Sequence, residues 1–236
     1  MAKKSTTTSD FGMSGRRNHD ASRFYESNLY DFWRKPLSVD SYMNDLPGAA
    51  TDRIFHHSAE QMTELPDACV HLMITSPPYN ASKAYDEDLS FSDYLNLLEK
   101  VFRECYRVIV DGGRACVNVA NLGRKPYIPL SHYVSHLMQN IGFRMRGEII
   151  WDKAASAGSS TAWGSWESAS NPTLRDVHEY ILVFSKGDFQ QKRDKEEKTV
   201  RQDTITKEDF LDWTKSVWQF PTASAKKVGH PAPFPV

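Results

Sequence analysis

The chain has 236 residues, with 29 Lys plus Arg against 30 Asp plus Glu, 40% hydrophobic and 12% aromatic residues. With a mean hydropathy of −0.56, these values describe an ordinary globular chain and exclude a collagen, a coiled coil and a membrane-embedded bundle. A net charge of −1 excludes a uniformly basic nucleic-acid binder but leaves room for a local basic patch.

The start, MAKKSTTTSDFG, carries no apolar stretch behind its lysines, so no secretory signal is expected and the chain is read as cytoplasmic. Residues 1–30 are polar and aperiodic, the pattern of a flexible arm, and 31–236 are expected to form the main domain. RIFHH at 53–57 is a short strand candidate. VHLMIT at 70–75 reads as a buried strand that must stop at Pro77. Ser90 and Asp93 have capping-box spacing, and Tyr94, Leu98, Phe102, Cys105 and their neighbours then mark one helical face. Asp111-Gly112-Gly113 is expected to turn the chain into the strand RACVNVA, which ends near Asn118 and Asn121. Leu130, Val134, Met138 and Ile141 mark a second helix, closed by Gly142. Residues 144–151 and 177–184 read as two more strands, separated by a long Ala/Ser/Gly/Trp loop. The mixed charges of 186–201 suit a solvated loop, and Thr206 with Asp209 caps a short helix carrying Phe210, Trp213 and Val217. Alternating strands and helices followed by a strand pair predict an α/β sheet with an antiparallel edge. Cys69, Cys105 and Cys116 are odd in number, lack CxxC spacing and sit in apolar runs, so neither a disulfide framework nor a metal site is expected.

The segment richest in chemistry is Thr75-Ser76-Pro77-Pro78-Tyr79-Asn80, at the exit of a buried strand. Two prolines stiffen the backbone and remove donors, so the Pro77 and Pro78 carbonyls are expected to point outward, with the Ser76 hydroxyl as a further acceptor. Such a corner suits an amino group. Tyr79 adds a π-face for a flat ring, worth about 1–3 kcal/mol for a nucleobase.

This hexapeptide resembles motif IV of the DNA amino-methyltransferases. ELPDACVHLMITSPPYN, DGGRACVNVANLGRKPYIPL, GEIIWDK, RDVHEYILVFSKG and the terminal GHPAPFPV, in this order, resemble that family's permuted branch, in which the catalytic half precedes the cofactor half. The resemblance implies a Rossmann-like methyltransferase sheet, double-stranded DNA as substrate and S-adenosyl-L-methionine as methyl donor. It implies a target base flipped from the helix onto Tyr79, its amino group accepted by Ser76 and the Pro77 carbonyl beside Pro78. A serine at the first motif position leans towards cytosine N4; adenine N6 is the alternative. The Ser76 proton needs an acceptor of its own, and Asp86, Glu87 or Asp88 is close in sequence.

By the same resemblance Asn80, His230, Pro231 and Phe234 border the cofactor. Arg124, Lys125, Lys186, Lys192 and Arg193 are candidate phosphate contacts, with 186–220 as a target-recognition insertion. Asn118 and Asn121 either border the base or cofactor or serve as turn residues. His178-Glu179 is at least as well explained by an exposed-face pair or a hydrogen-bonded core histidine as by any catalytic role, and Trp151, Trp163 and Trp166 are better explained by packing than by lining a DNA cleft. The family's FxGxGT cofactor turn follows the HPAPFP block, and these 236 residues do not contain it. The sheet is therefore expected to be incomplete at its cofactor half, which a second polypeptide would carry if the enzyme is split. The competing expectations are a shortened chain and a non-catalytic DNA-binding module; a restriction endonuclease partner is a further expectation.

Overall fold

The computed structural model describes residues 25–33, 43–79, 89–123, 125–153, 174, 176–189, 204–223 and 229. The chain divides into two units, Met1–Ser38 and Val39–Val236. In the first, a 3-10 helix spans Asn28–Trp33, with the Tyr25 and Tyr30 rings edge to face at 5.0 Å. This helix overlaps the end of the expected arm.

The second unit is built on a five-stranded sheet. Its strands are β1 (Val70–Thr75), β2 (Ile109–Val119), β3 (Arg144–Asp152), β4 (His178–Ser185) and β5 (Val217–Gln219), in the spatial order β1-β2-β4-β3-β5. The helices are α1 (Phe91–Val108), α2 (Leu130–Ile141) and α3 (Lys207–Trp213). Strand β1 runs parallel to β2, and β3 parallel to β5, while β4 is antiparallel to both β2 and β3. The antiparallel strand is thus interior, not an edge as its place late in the chain suggested. Its continuous apolar run, YILVF, suits a strand paired on both sides.

Helix α1 begins where its cap predicts: Ser90 Oγ accepts the Asp93 amide at 3.1 Å and donates to the Asp93 carboxylate at 2.6 Å. Its buried stripe of Tyr94, Leu98, Phe102, Cys105 and Val108 packs with Leu130, Val134 and Met138 of α2 against Ala115, Val117, Val119, Leu182 and Phe184 of the sheet. Gly142 ends α2 at φ +125°, with the Tyr106 ring 3.2 Å from where a Cβ would stand. A side chain fits neither that backbone nor that space. Thr206 and Asp209 form a complete capping box on α3, although Phe210 and Trp213 are exposed rather than packed.

Two expectations need correction. RIFHH is not a strand: Ile54 is 99% exposed and 53–57 pair with nothing in the sheet. An apolar pair flanked by Arg and His has too little to bury. Asp111-Gly112-Gly113 does not precede its strand but lies inside β2, where the register to β1 jumps from Val70↔Ile109 to Leu72↔Arg114. Gly112 absorbs that bulge at φ +75°, and a Cβ on Gly113 would fall 2.6 Å from Ile109 Cγ2.

Arg107, near the end of α1, ties the segment before β1 to the helix. It pairs with Glu104 at 2.8 Å and Asp67 at 2.7 Å and donates to the Leu65 and Met62 carbonyls, each at 2.9 Å. Arg107 holds the Glu104 carboxyl below its usual 4.5, with burial opposing and the Met62 amide assisting. A depressed carboxylate stabilises the fold at pH above its ordinary value and loses that contribution as pH falls through the depressed one. Glu104→Gln is therefore expected to cost about 1–3 kcal/mol at neutral pH and to flatten the acid limb of stability below pH 4.5. Urea titrations at neutral and acid pH check this; an unchanged difference between wild type and variant across the limb would exclude it.

Candidate active site

The carboxyl ends of β1, β2 and β3 gather at one edge of the sheet, and the antiparallel β4 starts there. The register fixes this: Thr75 pairs with Val117, Asn118 with Ile181, and Trp151 with Glu179. Ser76–Tyr79, Asn118, Lys153 and Glu179 are therefore brought together from four segments, at the edge where open α/β sheets bind ligands.

Ser76 and Tyr79 are half-buried, Pro77 is buried and Pro78 exposed. The Ser76 hydroxyl lies 3.3 Å from Tyr79 Oη, which donates to Glu179 Oε2 at 3.3 Å. Burial first, and the Glu179 charge second, push the Tyr79 phenol far above its usual range, so it stays protonated. With the Tyr79 hydroxyl donating to Glu179, its oxygen is free to accept the Ser76 proton, which leaves the serine lone pairs to accept in turn. Asp86, Glu87 and Asp88, named from the sequence as takers of this proton, lie outside the described residues.

The two proline carbonyls differ. That of Pro78 accepts the Tyr94 hydroxyl at 2.6 Å, which anchors the motif to α1; it is not the open acceptor expected of it. No described residue donates to the carbonyl of Pro77. Asn118, 6% exposed, donates through Nδ2 to Glu179 Oε2 at 2.6 Å and to Tyr79 Oη at 3.3 Å. Lys153 Nζ meets Glu179 Oε1 at 2.6 Å. The carboxylate thus joins Ser76, Tyr79, Asn118 and Lys153 in one network. Sequence reasoning gave Glu179 and Lys153 no role here. A charge at the start of the otherwise apolar YILVF run is the signal that could have found Glu179, while Lys153, just past the end of β3, carried none.

Lys125 is exposed on the loop after β2. Lys186 is not a surface cation: it is 8% exposed, its Nζ donates to the Ile109 carbonyl at 2.8 Å, and it lies 4.8 Å from the centroid of the Tyr106 ring. Seven residues of strand put it about 23 Å from Glu179, at the C-terminal end of α1, where a cation meets the last carbonyls. Its expected contact with phosphate is replaced by this structural one. Within 186–220, β5 extends the sheet beside β3, so part of the expected insertion belongs to the fold. Trp151 packs against Phe220 at 5.3 Å and donates to its carbonyl at 3.0 Å. Asn80, Arg124, Trp163, Trp166, Lys192, Arg193, His230, Pro231 and Phe234 lie outside the described residues. Among the described residues no cluster of His, Cys, Asp and Glu suits a metal ion, and no helix is long and apolar enough to cross a membrane.

Residues 70–236 match the family model described as DNA methylase, which groups N6 and N4 methyltransferases. The Type II methyltransferase M.MjaVI of Methanocaldococcus jannaschii is 31% identical over 169 residues, covering 70% of this chain and 84% of the relative. M.MthZI of Methanothermobacter thermautotrophicus is 29% identical over 206 residues, and the match spans 76% of this chain but 58% of that longer relative. Among solved structures, a putative DNA modification methylase from Thermus thermophilus, complexed with S-adenosyl-L-methionine, aligns with TM-score 0.54 at 26% identity over 71% of this chain and 65% of that one. The cytosine-N4-specific PvuII DNA methyltransferase aligns with TM-score 0.53 at 15% identity over 82% of this chain and 65% of its own, a likeness of fold.

Proposed function

The chain belongs to the DNA methylase family of N6 and N4 amino-methyltransferases, and from that premise we propose that it supplies the target-base site of a site-specific DNA methyltransferase acting on cytosine N4. The observation that carries the proposal is the acceptor pair at the end of β1: a Ser76 hydroxyl that can direct its proton to Tyr79 Oη, itself held by Glu179, beside a Pro77 carbonyl to which no described residue donates.

An exocyclic amine conjugated to its ring is a poor nucleophile, and pairing hides it in a duplex. The base leaves the stack and docks at Tyr79 and the rigid Pro77-Pro78 corner. Ser76 and the Pro77 carbonyl accept the two amino hydrogens. Both acceptors favour a tetrahedral nitrogen and stabilise the positive charge that develops on it. The Pro78 carbonyl, held by Tyr94, keeps the corner from turning away. S-adenosyl-L-methionine, with which the solved Thermus relative is complexed, would supply the electrophilic methyl carbon opposite that nitrogen and leave as the thioether S-adenosyl-L-homocysteine, and the methylated nitrogen would release one of its two hydrogens as a proton to water. No covalent bond to the protein is required.

Asn80, His230, Pro231 and Phe234 are the residues of this chain assigned to the methyl donor. The rest of its pocket is assigned to a βαβ unit carrying the glycine-rich turn, in the same polypeptide or a second one. What supports this assignment is that β1 is the last strand on its side among the described residues, and that Leu72 and Ile74, 51% and 67% exposed, lie on the face opposite α1 and α2. Arg124, Lys125, Lys192 and Arg193 are assigned to DNA phosphates, and the segment 187–216 to target recognition.

The choice of cytosine follows from the serine at the first motif position; adenine N6 is the second reading. Incubation of the enzyme completed with the unit that carries the glycine-rich turn, with DNA of mixed sequence and labelled S-adenosyl-L-methionine, then nucleoside mass spectrometry, is expected to yield N4-methyldeoxycytidine. N6-methyldeoxyadenosine would replace cytosine by adenine, and binding of DNA with no methylated base would leave a DNA-binding module of this fold.

A further inference from the structure

We propose that Asn118 is a third acceptor for the target amino group, presenting its side-chain carbonyl oxygen to the flipped base, with Glu179 and Lys153 as positioning residues. The inference rests on the methyltransferase reading and adds to it a base contact and the charged pair that aims it.

Asn118 Oδ1 is buried and has no hydrogen-bond partner among the described residues. An orphaned buried acceptor of this kind is costly to keep, so its persistence calls for a ligand. The amide cannot simply be turned over. Glu179 Oε2, 2.6 Å from Nδ2, only accepts, and exchanging the two amide atoms would set two acceptors against each other at that distance. Glu179 thus holds Nδ2, and Lys153, 2.6 Å from Oε1, supplies its countercharge. The carbonyl oxygen is what remains of Asn118, in the same linked cluster as Ser76 and Tyr79.

The chemistry of the amine gives that oxygen a use. The two amino hydrogens lie in the ring plane of the unreacted base and leave it as the nitrogen becomes tetrahedral. With Ser76, the Pro77 carbonyl and Asn118 as acceptors, each hydrogen keeps a partner throughout. A purely structural asparagine would have both ends of its amide satisfied.

The test measures binding of free nucleosides by ligand-observed NMR. The probes are 2′-deoxycytidine and 2′-deoxyadenosine, each against its analogue with hydrogen in place of the amino group. Wild type is expected to favour the amino form of its target base, and Ser76→Ala to lose most of that preference. Asn118→Leu is expected to lower the preference about fivefold to tenfold, the worth of one hydrogen bond, without weakening binding of the des-amino analogue. Glu179→Gln, which frees the amide to turn, is expected to lower it in part. If both variants keep the full preference while Ser76→Ala loses it, the role of Asn118 is overturned and the methyltransferase reading stands. If wild type shows no preference in either pair, both fall. Should Asn118→Leu fail to fold, Glu179→Gln decides alone, because a change confined to the amino form is not a folding defect.

Discussion

In the enzyme completed with its methyl-donor half, Ser76→Ala is expected to reduce methyl transfer by about 10²–10³-fold, the scale seen when one preorganised polar group is removed from a developing charge, while DNA affinity and thermal stability stay near wild type. The side chain is half-buried in a loop, and its one described contact is the 3.3 Å approach to Tyr79 Oη. The fold therefore loses little. The reaction loses the acceptor that draws the amine out of conjugation. Tyr79→Ala is expected to lose as much, for it removes both the stacking ring and the hydroxyl that orients the Ser76 proton. Tyr79→Phe separates the two, retaining the ring while leaving the Ser76 proton without its partner. Single-turnover transfer of a labelled methyl group, with gel-shift binding run beside it, reads these effects. Wild-type turnover in both Ser76→Ala and Tyr79→Ala would remove the motif from the chemistry.

Such a result tests a site of which half was visible before the fold. TSPPY stands out because an apolar run stops dead at two prolines, and α1 because Ser90, Asp93 and a 3.6-residue stripe agree. Local rules suffice for both. Glu179 and Lys153 are different: they lie 61 and 35 residues from Asn118, and only the β2–β4–β3 register brings the three together. No periodicity within a segment encodes strand order, which is why β4 looked like an edge. The same limit explains Lys186, whose charge suggested the surface although it closes the end of α1. It also explains the Pro78 carbonyl, whose partner Tyr94 comes from a helix 16 residues on.

The charged network is only as well aimed as the strand that carries Glu179, so the core beneath it carries the second large effect. Phe184→Ala is expected to destabilise the protein by about 3–5 kcal/mol, since an emptied phenyl site is only partly refilled by its neighbours. Phe184 is fully buried on the interior strand, pairs in register with Ala115 and Met145, and faces the Phe143 ring at 6.3 Å. Phe143 is itself held edge to face by Tyr106 at 4.9 Å, so collapse into the cavity would have to break a second aromatic contact. Against a total of about 5–15 kcal/mol, the loss is about a fifth or more, and thermal unfolding should fall by roughly 6–20 °C. Methyl transfer measured well below the new midpoint should fall far less than in Ser76→Ala, because the backbone pairs between β4 and its neighbours survive the substitution. A cost under about 1 kcal/mol would mean that the cavity closes, and would place the load of the core on α1 and α2 instead of on the central strand.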